Sequence, residues 1–143
     1  MKKMIGIILV LSFITSASAA YASRGDAIQQ GRDVIAIVER QTSYCAQETF
    51  TTDFIGLGQT KFYNTFLYSG VDYIIAVGGD GNAKDLDVGL ADQSGNTIID
   101  NSNSKEGLIK FGVRVGGNFT LGVKLANGSR KGAWIYIIHF YQC

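Results

Sequence analysis

Four oxygen-bearing side chains lie within eight residues of one another and form the most compact group that could bind a metal ion. They are Asp80, Asn82, Asp85 and Asp87, and calcium prefers oxygen ligands of this kind. Their spacing is not that of an EF-hand loop, which has alternating acidic residues, a glycine and a final glutamate. We favour a turn bonded by Asp80 and Asn82, followed by a strand with two aspartates on a solvated face. Calcium remains the metal alternative, and no other cofactor is expected.

Residues suited to catalysis are few. The chain has one histidine, His139, and its neighbours are strongly apolar, which favours a packed residue over a general base. No Gly-x-Ser-x-Gly elbow accompanies it. One histidine and two cysteines also fall short of a tetrahedral zinc site made of nitrogen and sulfur ligands. We therefore assign no catalytic residue and expect a protein that is not an enzyme.

The first 22 residues have the pattern of a secretory signal. Lys2 and Lys3 precede an apolar stretch over residues 4–14, and small residues follow over residues 16–22. Cleavage is expected after Ala22, with Ala19 as the alternative. Eleven apolar residues are fewer than the roughly 20 that span a bilayer, so we predict no transmembrane segment in the mature chain. The predicted location is secreted or at the cell surface, with the periplasm as the alternative.

Export decides how the two cysteines are interpreted. Cys45 and Cys143 are the only pair in the chain, and an oxidising compartment favours a disulfide between them. The alternative is a reactive thiol, which needs a positive environment to lower its pKa. No charged residue lies within two positions of Cys45, so the structural disulfide is preferred.

Composition and charge restrict the class of partner. The chain has 143 residues, 18 of them glycine and none proline, and 46% of residues are apolar, as expected for a folded domain. Loss of Lys2 and Lys3 leaves 13 − 2 = 11 basic against 12 acidic residues, a net charge of −1. Such a chain lacks the basic field that binds nucleic acid, and a charge near zero does little to oppose self-association.

The hydrophobic pattern predicts one helix followed by short strands. Apolar residues recur at helical spacing over residues 26–41, and from residue 48 onward alternation and glycine-rich turns indicate antiparallel strands. The strands are predicted at 61–68, 72–77, 85–91, 97–100, 108–115, 119–125 and 133–141, with an eighth near 49–55. We therefore predict a mainly β protein, an antiparallel jelly-roll-like β-sandwich of seven or eight strands with one N-terminal α-helix. Its parts are a removed signal peptide (1–22), the helix and a connector (23–47) and the sandwich (48–143).

Three motifs in the strand region resemble the bacterial pre-peptidase C-terminal (PPC-like) domains. The first is Ser69-Gly70 before an aromatic strand, the second is the Asp85-Leu86-Asp87 strand, which ends in an Asp-x-x-Gly turn, and the third is Gly117-Asn118-Phe119-Thr120-Leu121-Gly122-Val123. The resemblance covers about residues 61–141. It implies a compact jelly-roll-like sandwich that acts as a non-catalytic accessory or binding module.

Two predicted strands, 72–77 and 133–141, are apolar on both faces and suggest a contact surface. We expect the helix to be too narrow to cover both strands, so that a second copy covers the rest. The predicted interface residues are Trp134, Tyr136, Ile138, Phe140, Tyr73 and Ile75. The predicted function is thus a structural or self-assembling extracellular subunit. The alternative is an accessory module that binds polysaccharide or an extracellular protein, for which the candidates to stack on sugar rings are Tyr63, Tyr68, Trp134 and Tyr136.

Overall fold

The computed structural model describes residues 23–143, and for residues 98–103 it describes the backbone alone. The predicted signal peptide lies outside the described residues. The elements are α1 (Arg24–Gln41), β1 (Tyr44–Ala46), β2 (Thr51–Ile55), β3 (Thr60–Leu67), β4 (Asp72–Gly79), β5 (Ala83–Ala91), β6 (Thr97–Ser104), β7 (Glu106–Gly112), β8 (Gly117–Gly128) and β9 (Ala133–Gln142). Among these residues no helix is long and apolar enough to cross a membrane.

The strands form two antiparallel sheets, which confirms the predicted mainly β sandwich with an N-terminal helix. One sheet, here called the covered sheet, has the order β1-β9-β4-β7, and β2 also pairs with β9. The other, the open sheet, has the order β3-β8-β5-β6. The described residues thus contain nine strands, against the seven or eight predicted. The additional strand is β1, which lies in the predicted connector and pairs with the end of β9.

Alternating side chains fill the space between the two sheets. Leu86, Val88 and Leu90 of β5 are buried, as their spacing of two residues predicts. They meet the inner side chains of the covered sheet in one cluster. The central members of that cluster from β4, β8 and β9 are Tyr73, Ile75, Val77, Leu121, Val123, Leu125, Ile135 and Ile137. Tyr73 and Ile75, which we predicted at an interface between copies, are therefore core residues of the single chain.

The helix covers the outer face of the covered sheet. Ser23 caps its start, where the Ser23 hydroxyl accepts from the Asp26 amide at 3.1 Å. Its buried residues Ala27, Gly31, Val34 and Val38 recur at spacings of three and four. Val34 and Val38 belong to a second cluster whose other buried members are Tyr44, Ile74, Ala76, Leu108, Tyr136, Ile138 and Phe140. The molecule therefore has three layers, which are the helix, the covered sheet and the open sheet.

This second cluster corrects the predicted interface on β9. Tyr136, Ile138 and Phe140 are almost completely buried beneath the helix, and Trp134 is half-buried against Phe54 at 5.6 Å between ring centroids. The helix stripe is narrow, as expected, but Phe50 and Tyr44 widen the cover. No second copy is needed to bury this strand.

The cysteines join the segment after the helix to β9. The structure pairs Cys45 with Cys143 as a disulfide, with Cα atoms 5.8 Å apart. Beside it, Cys45 lies opposite Tyr141 in the β1–β9 ladder. Covalent bond and ladder therefore fix β1, and with it the end of the helix, to the covered sheet. A disulfide pair is compatible with an oxidising extracellular location.

Candidate contact surface on the open sheet

The acidic residues proposed for calcium do not converge on one point. Asp80 is fully buried, and its two carboxylate oxygens accept from the backbone amides of Asn82 (2.9 Å) and Trp134 (3.2 Å). Burial raises the pKa of Asp80 although these bonds lower it. Asp85 and Asp87 follow on β5, where Asp87 is paired in register with Lys124 of β8. Among the side chains that the structure describes, which exclude those of residues 98–103, no group of three or more His, Cys, Asp or Glu is placed to hold a metal ion.

His139 lies on the inner side of β9, opposite Ile75 of β4. Its Nε2 atom is buried without a hydrogen-bond partner. Burial lowers the pKa of His139, because the charged imidazolium loses its hydration there. The arrangement is that of a neutral, partly buried histidine packed against the sheet rather than of a general base supported by an acid.

The largest exposed apolar side chains in one element lie on β3 and directly after it. Phe62 is 71% exposed, Phe66 55% and Tyr68 66%, and the rings of Phe66 and Tyr68 meet edge to face at 5.1 Å. We call these three residues the aromatic strip. Monomeric proteins seldom expose several large aromatic side chains side by side unless the patch is a contact site.

Alternation along β3 places the strip on the outer face of the open sheet. Tyr63 points inward, packs against the core between the sheets and donates from its hydroxyl to Asp53 Oδ2 at 2.8 Å. Burial and this bond raise the pKa of Tyr63 far above its usual value, so the phenol remains protonated. Lys61 also points inward and pairs with Asp53 at 3.2 Å. Because Tyr63 and Lys61 are fixed on the inner side, Phe62 must face outward.

Asp53 holds this edge of the sandwich closed. Its carboxylate accepts hydrogen bonds from the Tyr63 hydroxyl and the Lys61 ammonium group of β3. Its own strand, β2, pairs with β9 of the opposite sheet. Burial acts to raise the pKa of Asp53, but the hydrogen bonds from Tyr63 and Lys61 outweigh it and lower the pKa. The carboxylate therefore remains charged, and β3 cannot shift along the sandwich without breaking these bonds.

Two glycines lie beside Phe62 on the outer face of the open sheet. Phe62 lies opposite Gly122 of β8, and Gly122 lies opposite Gly89 of β5. A Cβ atom on Gly122 would come within 3.2 Å of Phe62 Cε1, so the ring rests on the glycine backbone. Most of the Phe62 side chain, 71%, remains exposed and can contact a partner.

Polar groups alternate with the aromatic rings. Asn64 lies between Phe62 and Phe66, and its Oδ1 accepts from Thr120 Oγ1 at 3.1 Å. Asn118 lies opposite Phe66 in the ladder and is exposed. The surface thus combines exposed aromatic rings with amide and hydroxyl groups on one face of one sheet.

No protein-family model matches this chain, and no curated protein matches it. The surface is therefore interpreted from its own geometry. Of the four predicted sugar-stacking candidates, Tyr68 belongs to the aromatic strip, whereas Tyr136 is buried and Tyr63 and Trp134 are half-buried. Sequence reasoning missed Phe62 and Phe66, although their spacing of four places both on one face of the predicted strand 61–68.

The strip lies on an edge strand. β3 is hydrogen-bonded to β8 on one side and has no strand neighbour in its sheet on the other. The four outward side chains of β3 are Thr60, Phe62, Asn64 and Phe66, and none carries a charge. Natural edge strands usually carry charges, prolines or bulges that prevent pairing with another chain. β3 is eight residues long and has none of these devices on its outer face. Its one charged residue, Lys61, faces inward, where Asp53 neutralises it.

Proposed function

We propose that this protein is a non-enzymatic, exported β-sandwich that acts as a self-assembling structural subunit. Export is supported by the signal pattern over residues 1–22 and by a disulfide pair that suits an oxidising compartment. The near-neutral charge of the mature chain leaves little long-range repulsion between copies. The contact is made by the aromatic strip and not by β9.

The exposure of Phe62, Phe66 and Tyr68 along one strand carries this proposal. Burying a large apolar side chain contributes on the order of 1.5 to 3 kcal/mol. Two copies that pack Phe62 and Phe66 against each other would remove part of the surface of four such side chains from water. That gain offsets an association cost of at least about 4 kcal/mol. The outward side chains of β3 itself carry no charge, and the exposed Lys124 beside Thr60 lies at the end of the strand.

The proposal is tested by the mass of the protein in solution with and without the strip. In the Phe62→Ser/Phe66→Ser double variant we expect a folded monomer at concentrations where the parent associates. Tyr141→Ser is the matched control, since it removes an aromatic side chain, 39% exposed, from the covered sheet. Association that survives the double variant, or that Tyr141→Ser abolishes equally, would exclude the strip as the contact.

A second candidate function is an accessory module that binds polysaccharide, and the exposed ring of Phe62 favours it. A 71% exposed ring packed beside Gly122, with Asn64 and Asn118 nearby, offers a stacking surface and hydrogen-bonding groups to a sugar chain. The resemblance to PPC-like modules also implies a binding role. The test is retention of the protein on insoluble cellulose or chitin, with Phe62→Ala as the variant expected to lose retention and Tyr141→Ala as its control.

A further inference from the structure

Resting on the proposed self-assembly, the sequence of β3 indicates how two copies meet. We propose that β3 of one copy pairs antiparallel with β3 of a second copy around a two-fold axis at Asn64. The two open sheets then become one continuous sheet of eight strands. The partner is a second copy of this chain, and the backbone groups on the free edge of β3 supply the hydrogen bonds.

The alternation of β3 restricts the register of this pairing. Residues opposite each other in an antiparallel ladder point to the same side of the sheet. Outward residues must therefore oppose outward residues, because a shift of one position would place Phe62 opposite an inward residue. Only registers that join even-numbered residues to even-numbered residues, such as Phe62 to Asn64 or to Phe66, satisfy this condition.

Among those registers, the one centred on Asn64 matches like with like. It places Phe62 opposite Phe66 of the second copy and Phe66 opposite its Phe62, so two aromatic cross-strand pairs form. Asn64 then lies opposite Asn64 of the second copy, where the two amide side chains can hydrogen-bond to each other. The same register pairs every residue from Thr60 to Tyr68, so the whole strand is used. Aromatic cross-strand pairs are among the stabilising contacts of antiparallel sheets.

Charge does not oppose this arrangement. Lys61 is the one charged residue of β3, and it faces inward against Asp53. In the register centred on Asn64 it lies opposite Leu67 of the second copy. The two Lys61 side chains are then six residues apart along the ladder, about 20 Å. A two-fold contact uses the same edge on both copies, so it closes on itself and leaves no free β3 edge for a third copy.

The other fully described edge strands are less suited to this pairing. β7 carries Glu106 and Lys110 on its outer face, and Lys110 Nζ lies 5.3 Å from the centre of the Tyr44 ring. β1 and β2 have three and five residues and share one edge of β9. β3 combines length, exposed aromatic side chains and an uncharged outer face.

Cysteine cross-linking of the exported, disulfide-intact protein tests the register. Directly opposed residues in an antiparallel ladder have Cα atoms about 4.5 to 5.5 Å apart, within the span of a disulfide. We expect Asn64→Cys to form a covalent dimer under mild oxidation. Thr60→Cys is the control, since the two copies of residue 60 would lie about 26 Å apart, and it should remain monomeric on a non-reducing gel.

A second pair of variants keeps the test valid if Asn64→Cys does not fold. A mixture of Phe62→Cys and Phe66→Cys should give a cross-linked heterodimer, while each variant alone should cross-link far less. If the parent is dimeric by mass, cross-linking of Thr60→Cys would overturn this pairing and leave self-assembly standing. Failure of both Asn64→Cys and the Phe62→Cys/Phe66→Cys mixture to cross-link would have the same meaning. A parent that is monomeric at all concentrations would overturn both proposals.

Discussion

The ring of Tyr136 on β9 lies across Gly78 on the neighbouring strand β4. The two residues are partners in the ladder, and a Cβ atom on Gly78 would collide with the Tyr136 hydroxyl and ring. Burial and the Glu106 carboxylate raise the pKa of Tyr136 well above its usual value. The missing side chain of Gly78 is what leaves room for this large aromatic side chain under the helix.

We expect Gly78→Ala to destabilise the protein by about 1 to 3 kcal/mol, because the added methyl overpacks a buried site. Gly112→Ala is the matched control, since its new Cβ would meet the end of the flexible Asp72 side chain, which can rotate away. Urea unfolding of both variants measures the difference. Equal losses in the two variants would mean that Tyr136 can move aside.

Removal of Asp80 should cost more than neutralising it. Asp80→Ala leaves the buried amides of Asn82 and Trp134 without acceptors, at about 1 to 3 kcal/mol each. Asp80→Asn keeps one acceptor and removes the burial of a charge, so we expect a smaller loss. Free energies of unfolding for both variants decide this, and a larger loss in Asp80→Asn would contradict the assigned bonds.

Calcium should leave the melting temperature of the parent unchanged. Both carboxylate oxygens of Asp80 are used by backbone amides, which leaves Asp80 poorly placed to bind a cation. A ligand bound only by the folded state must stabilise it. A calcium-dependent rise in melting temperature that is lost in Asp87→Asn would therefore restore the calcium site as an explanation of this segment.

His139 makes stability depend on pH. Its pKa in the folded protein is below the value of about 6.5 in the unfolded chain, because burial disfavours the imidazolium. As the pH falls below that value, the unfolded chain takes up a proton that the folded protein does not, so stability decreases. Between pH 7.5 and 5.5, we expect His139→Leu to flatten this decrease by up to about 1.4 kcal/mol per pH unit. An unchanged slope in the variant would show that His139 takes up its proton in the folded state.

The disulfide should be present and strongly stabilising. Non-reducing peptide mass spectrometry of the mature protein should find Cys45 linked to Cys143. Cross-linking residues that are 98 apart in sequence contributes at most about 4 to 5 kcal/mol in the chain-entropy model. A Cys45→Ser/Cys143→Ser variant should lose a substantial part of this. Two free thiols in freshly exported protein would contradict the pairing.

Part of the fold follows from local pattern. The strict alternation around Leu86, Val88 and Leu90 predicted both the strand and its buried face, because a side-chain period of two allows one face to be buried. The helix was also predicted from the spacing of its apolar residues. β1 was not predicted, since three residues show no period and the strand exists only because β9 and the disulfide hold it.

The contact surface was harder to predict because both faces of β3 are aromatic. Phe62 and Tyr63 are neighbours in sequence, and no local property decides which of them faces solvent. The decision is made by Asp53, which lies on the opposite sheet and binds the Tyr63 hydroxyl. The cover over β9 was missed for a similar reason, because Phe50 and Tyr44 reach the helix only in the folded chain.

Sedimentation equilibrium of the mature, disulfide-bonded protein from low micromolar to millimolar concentration tests self-assembly most directly. Burial of the aromatic strip between two copies predicts a mass that rises with concentration and levels off at twice that of the single chain, since a two-fold contact closes. The Phe62→Ser/Phe66→Ser variant should remain at the mass of one chain over the same range. A parent that remains a monomer at the highest concentration would contradict the self-assembling function, and the polysaccharide-binding role of the same surface would then take its place.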